Sequence, residues 1–303
     1  MPPAEAVYGL PPPALAAVAA DAMQTSPLIV GATPLEALAN ESLARTVIAA
    51  PPGTLERRYV LAQALRALAP SGELVALARK DMGGSRLAAE LKAFGCVISE
   101  TAKRHHRLCR CIRPAEPLGL EAAIAAGGLQ RPASLGLWSQ PGVFSWSRLD
   151  PGSALLIAQP WAPSGAGADL GCGVGVLARG VLASAEVTEL TLIDLDRRAL
   201  DAASRNLDDP RARFLQHDLR RAPRRPKNLD FAIMNPPFHD GGAQDRDLGR
   251  AFVTAAADML KPGGVLRMVA NVALPYETIL AERFAKVTQL ARAEGYKVFE
   301  AWA

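Results

Sequence analysis

Near residue 235 an apolar run, Leu229 to Met234, stops on Asn235-Pro236-Pro237-Phe238. A buried strand ending this way presents a fixed carboxamide and free backbone carbonyls beside an aromatic ring. Proline lacks an N–H and fixes φ, so the loop neither extends the strand nor collapses into a helix. Acceptors arranged like this suit the holding of an exocyclic amine while a group is transferred to its nitrogen. The plain alternative is a strand followed by a proline-rich turn. Neighbouring His239 and Asp240 either contact the substrate or shape the loop, and the loop-shaping reading is the simpler one.

A second constellation decides between these readings. Asp169-Leu170-Gly171-Cys172-Gly173-Val174-Gly175 runs from a short apolar strand into a helical pattern. Three glycines let backbone approach a ligand closely, and the helix start beyond them offers free N–H groups. A dinucleotide loop would need glycine at position 176, where the chain has valine. An acid two residues before the first glycine disfavours a pyrophosphate and suits a cationic amino group, such as S-adenosylmethionine carries. Asp194, ending the next strand beside Leu195, is placed to accept from ribose hydroxyls. Asp218, after a third strand, is placed to accept from an adenine amine, with His217 and Leu219 lining the ring. One acid at a strand end is ordinarily solvated or a helix cap; three in register with a glycine loop form a site.

The elements that must position these residues alternate. Strands are expected at 167–170, 190–194, 213–217, 229–234, 265–270 and 296–301, with helices at 176–185, 197–206 and 250–260. Lys261-Pro262-Gly263-Gly264 closes the last of these helices. Such alternation predicts an α/β fold with a mostly parallel sheet covered on both faces.

The first half repeats the end of that pattern. Arg45 to Pro52 aligns with Asp230 to Pro237, putting Ala50 where the second copy has Asn235. Leu68 to Leu77 aligns with Leu260 to Val269, and Arg107 to Ile112 with Tyr296 to Ala301. The first copy has no glycine-rich loop. The expected organisation is therefore two tandem Rossmann-like domains, a smaller degenerate one over 1–115 and a catalytic one over 141–303. The Ala-, Gly- and Pro-rich stretch 116–140 reads as a linker with one short helix near 120–126.

Composition narrows the classes. The 303 residues are 50% apolar and 21% charged, a globular profile with room for two domains. No apolar stretch is long enough to span a bilayer, and no secretory leader pattern opens the chain. Four cysteines without a framework spacing fit a reducing cytoplasm. His105-His106-x-x-Cys109-x-Cys111 lacks a second ligand cluster, so no metal is expected. Net charge is +4, and residues 1–115 hold 13 Lys/Arg against 9 Asp/Glu, a bias that suits a polyanion-facing first half. Arg220, Arg221, Arg224, Arg225 and Lys227 precede the Asn-Pro-Pro strand, either as a phosphate grip or as a solvated loop.

Taken together, DLGCGVG, LTLIDLD, HD, NPPFHDG and LKPGG resemble the class I S-adenosylmethionine-dependent methyltransferases. PGVFSWSRLDPGSALLI (141–157), NPPFHDG and VANVALPY (269–276) resemble the bacterial ribosomal RNA guanine-N2 methyltransferases. The likeness covers 141–303 well and is faint over the first third, where that family carries a degenerate copy. It implies that Asn235 and the Pro236 carbonyl hold the guanine amine, that Phe238 stacks on the base, and that the Phe144 loop closes over S-adenosylmethionine. It further implies ribosomal RNA, free or in a partly assembled subunit, as the partner, docked through the first copy. Two other readings use the same geometry or fold: methylation of another amine (adenine N6 or a protein glutamine), or an RNA-binding assembly factor without catalysis. Tyrosine more often follows the prolines in the former, and the intact glycine loop and Asn235 speak against the latter.

Overall fold

The computed structural model describes residues 4–221, 226–237, 239–240, 243–244 and 246–303. It divides into two compact units, 1–130 with 140–142, and 131–139 with 143–303. The stretch expected to be a linker is thus shared between the units rather than free. Its helix belongs to the first unit, where Gly127 packs so closely on Tyr59 that a Cβ would lie 2.4 Å from that side chain.

The first unit runs β1 (Ala4–Tyr8), β2 (Met23–Gln24), β3 (Leu43–Ala49), α1 (Thr54–Ala67), β4 (Leu68–Arg79), α2 (Ser85–Ala93), β5 (Ile98–Lys103), β6 (His106–Ile112) and α3 (Leu120–Gly127). Its sheet has the order β2-β1-β3-β4-β6-β5. The second unit runs α4 (Pro151–Ile157), β7 (Gly165–Leu170), α5 (Val176–Val181), β8 (Val187–Asp194), α6 (Arg197–Asn206), β9 (Ala212–Gln216) and β10 (Leu229–Met234). It continues with β11 (His239–Asp240), β12 (Ala243–Gln244), α7 (Arg246–Met259), β13 (Leu260–Asn271), α8 (Tyr276–Arg283), β14 (Lys286–Ala293) and β15 (Tyr296–Trp302). Its main sheet has the order β14-β15-β13-β10-β7-β8-β9, parallel from β13 to β9 and antiparallel at β15 and β14.

These two orders are the same walk through a sheet, β1, β2, β3, β4, β6 and β5 standing for β7, β8, β10, β13, β15 and β14. The repeat read in the sequence is therefore real in three dimensions. Its alignment moves by one residue in two strands. Leu43 pairs with Leu68 and Arg45 with Glu73, as Leu229 pairs with Leu260 and Phe231 with Val265, with the same skip in both ladders. That register puts Ala49, rather than the expected Ala50, at the place of Asn235. The Ala50 N–H bonds Leu77 O at 2.8 Å, the bond Pro236 cannot donate. Likewise His106 opposes Arg79 as Tyr296 opposes Asn271, so His106 and not Arg107 matches Tyr296.

At that strand end the first copy is filled from within. The fully buried Arg57 donates from Nη1 to Pro52 O at 2.7 Å and Pro51 O at 3.2 Å. Its Nε and Nη2 bind the Glu90 carboxylate at 2.7 Å each. Two carbonyls just past the strand end, Pro51 O and Pro52 O, are thus taken up by an internal guanidinium. Cys109 and Cys111 lie on one face of β6, buried with Cys96 in the core. Among the described residues no group of metal-ligating side chains is assembled, and no helix is long and apolar enough to cross a membrane.

Candidate active site

The parallel strands of the second unit end on one edge, and their following loops meet there, the usual place for a ligand in an open α/β sheet. β7 is apolar and fully buried at its end because it lies in the middle of the sheet. It delivers the chain into a turn where Gly171, Gly173 and Gly175 all have positive φ (71°, 52° and 85°), which side-chain-bearing residues rarely adopt. The Gly171 and Cys172 N–H groups both bond Ile193 O, tying this turn to the end of β8. α6 begins there because Asp196 caps it, accepting from Arg198 N at 3.0 Å.

A cavity of about 170 Å³ opens at this edge. Its walls are Val143, Phe144, Gly171, Gly173, Asp194, Asp196, Ala199, Asn235, Pro236 and Pro237. A smaller recess next to it is shared by Phe144, Asp150, Ser153, Gly171, Cys172, Gly173 and Asn235, among others. The Phe144 ring is over half exposed, on the segment that leads from 143 into α4.

Asn235 does not hang freely at the end of β10. Its Nδ2 donates to Asp150 Oδ2 at 2.8 Å and to Ser153 Oγ at 2.9 Å. A carboxamide with its nitrogen so engaged turns its oxygen away from the carboxylate.

The site is acidic beneath its floor. Asp169 is fully buried; its Oδ2 accepts from Ala178 N at 3.1 Å, and its Oδ1 has no partner among the described residues. Burial pushes its pKa up to about 8, against the Ala178 N–H and with help from Asp194. Asp194 accepts from Gly173 N and Asp196 N at 2.9 Å each, and burial raises it to about 6. Burial also raises the Cys172 thiol, which stays a neutral apolar wall. Two neighbouring acids, Asp169 fully buried and Asp194 half-buried, make a place that favours positive charge.

Residues 134–300 match the family described as methyltransferase small domain. The Pseudomonas aeruginosa (strain LESB58) ribosomal RNA small subunit methyltransferase C is 35% identical over 252 residues, 80% of this chain and 74% of that protein. Its Shewanella pealeana counterpart is 30% identical over 80% of this chain and 72% of that one. The chain belongs to this methyltransferase family. Among solved structures, the T. thermophilus 16S rRNA N2 G1207 methyltransferase in complex with AdoMet and guanosine superposes with a TM-score of 0.73 at 28% identity. The match covers 89% of this chain and 76% of that one.

Of the residues expected from sequence, the structure brings Phe144, Gly171, Gly173, Asp194, Asn235, Pro236 and Pro237 to one cavity, with Cys172 in the adjoining recess. Asp169 sits behind the wall rather than in it. Gly175 shapes the turn, and a Cβ there would press on Leu207 at 3.1 Å. The Leu195 carbonyl accepts from Gln216 Nε2 at 3.0 Å. The trio expected around an adenine ring has local partners of its own. Leu219 is buried in the core, His217 Nε2 lies 3.0 Å from Arg221 O, and Asp218 is bound by the Arg220 side chain at 2.9 Å. Phe238, Arg224 and Arg225 lie outside the described residues, as do the side chains of His239 and Asp240.

Four of the residues gathered here were not foreseen. Asp196 and Ala199 follow from the first turn of α6, a helix start announced by the acid pair Asp194 and Asp196. Asp150 and Ser153 carry a visible helix-start signal, an acid followed by proline with serine three residues on. Nothing local in the sequence ties them to Asn235, 85 and 82 residues away.

Proposed function

We propose that this chain transfers a methyl group from S-adenosylmethionine to the exocyclic N2 amine of a guanine in ribosomal RNA. The observation that carries this is the Asn235-Pro236-Pro237 strand end, which shares a cavity wall with the glycine turn and Asp194. The family membership and the likeness to a guanosine- and AdoMet-bound relative support it.

The residues present fit the cofactor. An orphaned buried carboxylate oxygen on Asp169 and the raised Asp194 suit a ligand carrying positive charge and hydroxyl donors. Gly171 and Gly173 leave room for backbone to approach it, and Val143, Phe144 and Ala199 give it apolar walls. When bound, S-adenosylmethionine supplies an electrophilic methyl group on a sulfonium. Asn235 Oδ1 and the Pro236 carbonyl accept from the two N–H bonds of the target amine. Its lone pair is otherwise delocalised into the ring, and two acceptors favour a pyramidal nitrogen. Positioning and electrostatics then do most of the work, and no strong base is needed. Phe238 replaces stacking lost when the base leaves its neighbours. The first unit, with its own strand end closed by Arg57, serves to dock the RNA. Such an enzyme works in the cytoplasm with its substrate.

The test is nucleoside mass spectrometry of ribosomal RNA from cells with and without the gene. Loss of one N2-methylguanosine is expected, and an unchanged nucleoside profile sinks the reading. Incubating purified protein with naked RNA and with assembly intermediates then shows which form it accepts.

A further inference from the structure

An asparagine carboxamide has two faces of opposite character, and only its oxygen can accept from a substrate amine. At Asn235 the choice of face is forced by chemistry. With nitrogen toward Asp150 the amide donates to a carboxylate at 2.8 Å and to a hydroxyl at 2.9 Å. Turned over, its oxygen would face the Asp150 carboxylate at the same distance, with no proton between them. Asp150 itself is held: its Oδ2 also accepts from Ser153 N at 2.8 Å, capping α4, with Pro151 in the first helical position. Ser153 is buried, so the pair forms a rigid socket.

We propose that Asp150, seconded by Ser153 Oγ, is a positioning residue for methyl transfer. It fixes the Asn235 carboxamide with its oxygen presented and, by accepting a charge-assisted hydrogen bond from the nitrogen, makes that oxygen a stronger acceptor. This rests on the reading of Asn235 as the group that holds the amine. The Ser153 N–H holds the carboxylate in place at the start of α4.

The experiment compares single-turnover methyl transfer to ribosomal RNA by the full chain and its variants, alongside cofactor Kd, RNA KM and thermal midpoint. Asp150→Ser keeps a cap for α4 but is too short to reach Asn235. It is expected to slow transfer about 10- to 100-fold while cofactor Kd and RNA KM stay within about twofold and the midpoint stays near that of the parent. Asp150→Asn retains a carbonyl acceptor and keeps the greater part of the rate. Ser153→Ala, which leaves the cap N–H intact, slows transfer several-fold and stands in if Asp150→Ser does not fold. Placed in an Asn235→Ala background, Asp150→Ser adds nothing, because its target is gone. An inactive Asn235→Ala beside a fully active Asp150→Ser overturns the positioning role alone. A fully active Asn235→Ala overturns the reading of Asn235 itself. Equal losses of rate and stability in both Asp150 variants reduce Asp150 to a helix cap and also overturn the proposal.

Discussion

At Asp169 the cost of burying an acid is only partly offset by the protein, through the Ala178 N–H. With its pKa pushed up to about 8, the carboxyl is protonated at neutral pH, and a raised acid favours the folded chain below its unfolded value. That contribution is lost as pH rises from about 4 toward about 8, so the ligand-free protein is expected to weaken over this window. A cationic ligand reverses the preference, since it stabilises the ionised form and expels the proton. Cofactor affinity should therefore rise between pH 5.5 and 7.5, by up to about tenfold per pH unit for the one linked proton, with Asp194 adding to the slope near 6. Calorimetry in buffers of different ionisation enthalpy measures the released proton directly. A flat affinity profile with no proton release would show that Asp169 is already ionised. Asp194 makes a separate prediction. Asp194→Ala removes a charged acceptor and the anchors of Gly173 N and Asp196 N, and should weaken cofactor binding about 10- to 100-fold. Unchanged affinity would remove it from the site.

At the scale of elements, the parts most legible in the sequence are those whose pattern and burial coincide. β10 occupies the expected 229–234 and α6 the expected 197–206, the first as a run in mid-sheet that is apolar but for Asp230 and the second between a capping acid and Leu207. α5 is shorter than the expected 176–185, ending at Val181. β14 escaped notice because it is an edge strand whose burial does not alternate, leaving no period to read. α4 escaped notice because it spans only seven residues. The one-residue slip in the repeat has a similar origin. Matching Pro51-Pro52 to Pro236-Pro237 is the natural choice in sequence, but ladder hydrogen bonds set the register. The glycines of β7 are a further structural constraint. A Cβ on Gly167 would lie 2.2 Å from the ring of Phe231 in β10. That ring is itself fixed edge-on against Trp161, with centroids 5.3 Å apart. Gly167→Ala should lower stability by about 1–3 kcal/mol through overpacking, seen as a lower urea midpoint with an unchanged slope. A parental midpoint would mean that Phe231 has somewhere to go.

Across the whole molecule, one sheet plan is used twice with opposite outcomes at the same strand end. In the second unit the carbonyl-rich turn after β10 borders a cavity and its carboxamide is oriented by Asp150. In the first, an alanine stands in place of the carboxamide and Arg57 occupies the Pro51 and Pro52 carbonyls just beyond it, its charge matched by Glu90. The sequence made the loss of the asparagine visible but not the plug, because Arg57 and Glu90 are 33 residues apart and look like ordinary helix-surface charges. Buried pairs of this sort hold a structure mainly through the penalty of breaking them. Arg57→Ala would leave the Glu90 carboxylate buried without a cation and Pro51 O and Pro52 O without a donor, a loss of about 3–5 kcal/mol. Replacing both charges by apolar residues of similar size, as in Arg57→Met with Glu90→Leu, should recover most of that loss, since no charge is then stranded. Denaturant unfolding of the two variants measures the difference, and cofactor titration of each should match the parent, because every residue of the cofactor cavity belongs to the second unit. If Arg57→Ala costs no more than a surface substitution, the pair is not a plug, and the first copy's silence at this strand end rests on Ala49 alone.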